Sequence, residues 1–163
     1  MASRKIQALA LGAALFGGLL AGVTANRALV ELPAWQRIGL VGWANFTRAE
    51  NGSLLYIVVG FMALALTIST AISLAFDRSA KARRLPAYAA AILAITYAAI
   101  TRGILVPAMF HLRASENNAA ALEQIFGTVV RWSAVNDALH LLAFALTLWA
   151  LAEVLSEPRK RPV

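Results

Sequence analysis

The 163-residue chain has no cysteine. That absence removes disulfides, thiol redox motifs, zinc–thiolate sites and covalently attached haem together. Histidine is almost as scarce, with only His111 and His140 present, so a dedicated metal site lacks ligands and neither metal nor cofactor is expected. Charge is sparse too: 14% of residues are charged against 60% hydrophobic, and mean hydropathy is +0.68. A soluble domain of this length could not hide so much apolar surface, so the solvent is lipid. The formal net charge of +7 would suggest nucleic acid in a soluble protein. Here the basic residues cluster between apolar runs, so they mark topology and no nucleic-acid partner is expected. Internal repeats and low-complexity segments are also missing.

What is present is four apolar runs, Ile6–Ala25, Leu54–Phe76, Ala87–Phe110 and Trp132–Leu155, each near or above the ~20 residues that a bilayer demands. They predict an all-α, four-transmembrane-helix bundle, one domain over residues 1–163. The first run has a second reading as a signal peptide, because Arg4 and Lys5 precede it and "VTA" at 23–25 resembles a cleavage site. It is longer than a usual signal core and carries small residues at Ala14, Gly18 and Gly22. Such a stripe lets helices approach closely in lipid, and the run is read as a mature helix.

Orientation follows from the connections. Arg78, Lys81, Arg83 and Arg84 crowd the link between helices two and three, and Arg4, Lys5, Arg159, Lys160 and Arg161 mark the ends. The positive-inside rule puts both termini and that link in the cytoplasm, in a multi-pass protein of the plasma (inner) membrane. The connections 26–53 and 111–131 then face outside, with no lysine and with Trp132 and Trp149 near opposite ends of helix four. In the first of them, Pro33 suits a first helical turn, and Trp35, Ile38 and Val41 share one side of a short amphipathic helix. In the second, Leu122, Ile125, Phe126 and Val129 keep helical spacing, so the fourth helix starts before the membrane. The patterns "NFT" at 45–47 and "NGS" at 51–53 are glycosylation acceptors only in a eukaryotic secretory pathway.

A permanent cation, Arg102, stands inside the apolar third run. It lies eight residues below Phe110, about 12 Å down at ~1.5 Å per residue. Counting inward from Arg131, Asp137 falls about 9 Å deep and His140 about 13–14 Å deep. On helix four, Trp132, Ser133, Asn136, Asp137 and His140 share a face continued by Ala143 and Thr147. The opposite face, around Leu139, Leu142 and Leu146, suits lipid. Helix one offers Ala14, Gly18, Gly22 and Asn26, with Glu31 beyond. Helix two offers Tyr56, Gly60, Ala63, Thr67 and Thr70. The predicted pocket therefore gathers Arg102, Asp137, His140, Asn136, Tyr56 and Asn26 in the outer leaflet. Arg102 takes Asp137 as counter-ion, since an unpaired mid-helix arginine costs several kcal/mol. Helix-to-helix glue and snorkelling of Arg102 to the surface are the plainer readings of the same charge.

Three stretches, "LVELPAWQRI", "ILVPAMF" and "RWSAVNDALHLLAFALTLWAL", resemble the anthrone-oxygenase-like family of small integral membrane proteins. The likeness lies in Pro33 after helix one, the Val106–Pro107 pair closing helix three, and Trp132 followed four residues on by Asn136. Asp137, Leu139 and Met109 depart from residues usual in that family. The resemblance implies oxidation of an electron-rich aromatic, an anthrone- or quinol-like lipophile, by dioxygen without a cofactor. His140 would then be the base and Arg102 the cation stabilising an oxyanion. Asp137 would hold the arginine, and Trp132, Asn136, Tyr56 and Asn26 would line the substrate. The alternative class is a non-catalytic helical subunit of a larger membrane complex, its small-residue stripes binding other helices. Haem between His111 and His140 would need two imidazoles on one iron, which their unequal depths oppose. Transport fares worse, since the sequence signals no helix broken at the midplane.

Overall fold

The computed structural model describes residues 4–49, 54–77 and 81–156. These are helical almost throughout, with no strand among the described residues. The chain folds as α1 (Arg4–Asn26), α2 (Leu32–Ala49), α3 (Leu54–Phe76), α4 (Lys81–Ile100), α5 (Val106–Ala114) and α6 (Ala119–Leu155). Two π-helical turns, Arg27–Glu31 and Thr101–Leu105, weld α1 to α2 and α4 to α5. Four helical rods result, each long and apolar enough to cross a membrane. The expected all-α four-helix bundle is what the chain forms.

The rods α1, α3, α4 and α6 pack in a ring, α1 against α3 and α6, and α4 against α3 and α6. This is the arrangement that alternating up and down connections give. Alanine makes most of the seams: Ala10, Ala13, Ala63, Ala71, Ala87, Ala90, Ala94, Ala143 and Ala150 are all buried. Without a hydrophobic drive between helices in lipid, such small side chains let backbones come close enough for dispersion to hold them. Large apolar side chains point out instead, with Leu15 61%, Phe61 68%, Ile92 63% and Phe76 83% exposed. That inversion is what a lipid solvent asks for.

The two ends of the bundle differ. Where α1 begins and α6 finishes, Ile6, Leu74 and Val154 pack with alanines. There Arg84 donates to the carbonyls of Leu74 (3.0 Å) and Asp77 (2.8 Å), capping α3. At the far end, Trp43 and Ala44 of α2 meet Ala108 and Leu112 of α5 and Leu122 and Val129 of α6. Trp43 stands edge-on to Phe126, ring centroids 4.9 Å apart. Arg48 ties this end together, donating to the carbonyls of Leu112 (3.3 Å) and Ser115 (2.6 Å) and to Asn117 Oδ1 (2.8 Å). The early start of the fourth helix is borne out, since α6 runs 37 residues from Ala119, or ~55 Å.

Several expectations need correction. The first helix does not end at Ala25; the rod carries on through the π turn and bends only at Gly39, whose φ of 74° needs glycine. The stripe Trp35, Ile38, Val41 is not one face, because Trp35 packs inward while Ile38 and Val41 are 51% and 45% exposed. The buried stripe of α1 is Ala10, Ala13, Gly17, Leu20, Ala21 and Thr24, about one residue out of phase with Ala14, Gly18, Gly22 and Asn26. Phe144 lies over both glycines of this stretch: a Cβ on Gly17 or Gly18 would stand 3.2 or 3.3 Å from its ring. Leu139, expected to face lipid, packs partly buried beside Leu20 and Tyr97. Asn45 lies on helix α2, whereas 51–53, Arg78 and 159–161 fall outside the described residues.

Candidate functional site

Each π turn ends two residues before a proline, Glu31 before Pro33 and Leu105 before Pro107. Proline has no N–H for the carbonyl four residues back, and its ring collides with it. Widening the preceding turn relieves both problems without breaking the rod, and such bulges recur at functional sites. The inserted residue turns side chains that an unbroken helix would aim elsewhere. In the first bulge, Arg27 reaches α6 and forms an ion pair with Asp137. In the second, the Thr101 hydroxyl donates to Asn136 Oδ1 at 3.4 Å. Adjacent residues of α6 thus receive one contact from each bulge.

One turn further along α6, His140 is 5% exposed. Its Nδ1 lies 2.8 Å from the Thr24 hydroxyl, and its ring stands 4.9 Å from that of Tyr97. Thr24 and Arg27 lie on one face of the rod, so α1 and its bulge supply partners for both His140 and Asp137. Asn26 flanks the bulge outwardly and donates to Glu31 Oε1 at 2.8 Å.

Two cavities meet at Arg27. One, of about 300 Å³, is walled by Leu32, Trp35, Val130 and Leu141, with Arg27 and Asp137 as its charged groups. The other, of about 210 Å³, is lined by Trp35, Trp43, Thr47 and Tyr56 as well as Glu31 and Arg27. Both are partly open, and Ser133 borders each. The ion pair therefore sits between two compartments of aromatic and aliphatic wall.

The sequence-predicted face of α6 is present as expected: Ser133, Asn136, Asp137, His140, Ala143 and Thr147 are all buried. The pairing predicted for it is not. Arg102 is exposed, and Asp137 pairs with Arg27. On the Arg102 turn it is Thr101 that takes the inward place, while Arg27, beyond the expected end of helix one, reaches α6 from the continuing rod. Tyr56 reaches a cavity while 37% exposed. Trp132 is half-buried and Asn26 exposed, and neither lines a cavity described above. Nor does His140. Arg27, Thr24, Tyr97, Trp43 and Thr47 were missed by sequence reasoning, although Pro33, read as the first turn of a short amphipathic helix, carried the signal for the bulge. Among the described residues no three His, Cys, Asp or Glu side chains gather where a metal could be held.

Comparison of the chain with known protein families, with curated proteins and with solved structures finds no match.

Proposed function

We propose that the protein is a membrane-embedded oxygenase that oxidises a lipophilic aromatic with dioxygen and no cofactor. The observation that carries this reading is Asp137, a carboxylate clamped by Arg27 in a cavity wall that is otherwise apolar but for Ser133. Such a cavity admits a lipophile from the bilayer, and apolar surroundings strengthen every charge interaction within it. The resemblance of the proline-bearing and helix-four stretches to anthrone oxygenases points the same way.

In this reading Asp137 takes the part first given to His140, because it borders the cavity, and Arg27 takes that of Arg102. Asp137 accepts a proton from the activated C–H of an anthrone, and Arg27 stabilises the oxygen anion that forms in conjugation. The carbanion's electron pair passes to dioxygen, giving a hydroperoxide once the proton returns. Loss of water leaves the second carbonyl, so one anthrone and one dioxygen become one quinone and one water. His140, between Thr24 and Tyr97, holds the α1–α6 seam behind the carboxylate.

The lysine and arginine distribution supports placing both termini in the cytoplasm of a plasma (inner) membrane, with the cavities in the outer leaflet. Because the chain has no native cysteine, Glu116→Cys and Ser156→Cys give single labelling sites; they are expected to react from opposite faces of sealed vesicles, Glu116→Cys from outside. The activity is tested by oxygen uptake with anthrones and hydroquinones in liposomes. Wild type is expected to consume one dioxygen per anthrone, and Asp137→Asn to lose on the order of a hundredfold. No uptake by wild type across that panel overturns the oxygenase and leaves the accessory-subunit reading.

A further inference from the structure

Between α5 and the first turns of α6 lies an open groove of about 610 Å³, which shares no lining residue with the two cavities at Arg27. Gly103, in the second π turn, leaves it room: a Cβ there would meet nothing within 4 Å. Its level in the bilayer follows from the opposite end of the bundle, where Ala87 packs with Ile6, Leu74 and Val154. A hydrocarbon core of ~30 Å, counted from Ala87 at ~1.5 Å per residue, ends at Pro107. The groove therefore straddles the edge of the hydrocarbon. Its foot is apolar, formed by Gly103, Ile104, Pro107 and Ala108. His111 stands about 6 Å further out, within the ~5–8 Å of the headgroup layer. Gln124 lines the groove from α6, bracketed to the same level because Ala108 and Leu112 pack with Leu122 and Val129.

The polar groups of the groove divide in two. Ser115 Oγ–H donates to the Leu112 carbonyl at 3.0 Å and Thr128 Oγ1–H to the Gln124 carbonyl at 2.9 Å, so both hydroxyl protons are spent. The His111 ring and the Gln124 carboxamide are exposed, and neither side chain has a hydrogen-bond partner among the described residues. We infer that the groove seats one phospholipid of the surrounding leaflet, its glycerol and upper acyl segment on the Gly103–Ala108 foot and its phosphate accepting from His111 and Gln124. The order of the lining selects this occupant. An amphiphile standing in the leaflet meets the apolar foot inside the hydrocarbon and the donors at phosphate depth. A solute from the water would leave the foot bare, and a hydrocarbon would leave the donors bare. No carboxylate lines the groove, so nothing there repels a phosphate. The site needs no oxidation to be occupied, and it stands or falls apart from the proposed activity.

The test uses the full chain, purified in detergent and stripped of lipid, with binding read by native mass spectrometry. Three probes separate head from tail: dioleoylphosphatidylcholine, dioleoylglycerol, which lacks the phosphate, and glycerophosphocholine, which lacks the chains. Phosphatidylcholine is expected to bind at least tenfold more tightly than either of the others, because a hydrogen bond to a charged oxygen is worth about that much. Gly103→Leu puts a side chain into the open foot and should weaken phosphatidylcholine at least tenfold without lowering the unfolding temperature. The double variant His111→Ala with Gln124→Ala should weaken phosphatidylcholine about tenfold and leave dioleoylglycerol unchanged. Equal affinity for dioleoylglycerol or for glycerophosphocholine, or unchanged phosphatidylcholine binding by either variant, would overturn the inference. So would His111→Cys cross-linking to its own copy in the stripped protein, since the groove would then belong to a dimer. If Gly103→Leu fails to fold, the probe series and the double variant still decide.

Discussion

The Arg27 guanidinium and the Asp137 carboxylate, 110 residues apart in sequence, pair across the α1–α6 seam at the point where α1 widens into a π turn. Their side chains are 21% and 10% exposed, so both charges are largely removed from water. Each is tolerable there only because the other is present. The pair fixes the rotation of the α1–α2 rod against α6 and, through it, the walls of both cavities.

Removing one charge should therefore cost more than removing both. Arg27→Leu or Asp137→Leu alone is expected to destabilise the bundle by about 3–5 kcal/mol, the usual cost of orphaning a buried charge. The double change should recover much of that loss. Arg102→Leu, at a position exposed on the outside of a bundle that lipid surrounds, should be neutral or stabilising, since leucine suits lipid better than a charge does. Denaturant titration of the detergent-solubilised proteins measures all four. A single-variant loss no larger than that of the double would rule out the pair as described.

The spans, the bundle and the polar face of α6 were legible in the sequence because length, hydropathy and helical spacing dictate them directly. Asn136, Asp137 and His140 lie at positions that one face of a helix must share, and all three are buried. What was not legible was the partner of Asp137. Counting ~1.5 Å per residue from a helix one that stops at Ala25 leaves Arg27 outside the membrane and Arg102 at the level of Asp137, whereas the rod in fact runs on through Arg27–Glu31. Which side chain then turns inward depends on azimuth, and each π turn shifts azimuth by one residue. Neither a hydropathy run nor a regular 3.6-residue wheel represents that shift. The phase of α1 was lost for a similar reason: Ala14, Gly18 and Gly22 form as good a stripe on paper as Ala10, Ala13 and Gly17. Phe144, more than a hundred residues away in sequence, meets both stripes, at Gly17 and at Gly18, so residue size along α1 does not choose between them.

That phase makes the glycines of α1 unequal. A Cβ at Gly17 would stand 3.2 Å from the Phe144 ring, whereas at Gly22 nothing lies within 4 Å. Gly17→Ala is expected to cost about 1–2 kcal/mol by forcing the ring to move, an overpacking effect. Gly22→Ala should be neutral or stabilising by up to about 1 kcal/mol, since alanine is the better helix former. Thermal unfolding of the two variants distinguishes these outcomes. Equal effects would mean that Phe144 does not rest on this face.

The prolines provide the last prediction, because they explain why the bulges exist. Pro33 cannot donate to the Leu29 carbonyl, nor Pro107 to that of Gly103, and each ring would strike the carbonyl it fails to bond. Alanine at either place restores the donor and removes the clash. The wide turn then loses its cause, and the rod can close into a regular α-helix by shifting one residue, a rotation of about 100° between its two halves. For Pro33→Ala that rotation separates Arg27, fixed on α1, from Trp43 and Thr47 on α2. For Pro107→Ala it displaces the Leu112 and Ser115 carbonyls that Arg48 holds. Both variants are expected to fold, and to unfold at a temperature equal to or above that of wild type, since an interior proline costs a helix about 3 kcal/mol. Pro33→Ala should lose at least tenfold of the oxygen uptake with anthrone despite that stability, because the α2 walls of the cavities turn away from Arg27. A variant that melts several degrees lower and still consumes oxygen normally would show that the proline supports the rod and leaves the bulge to another cause.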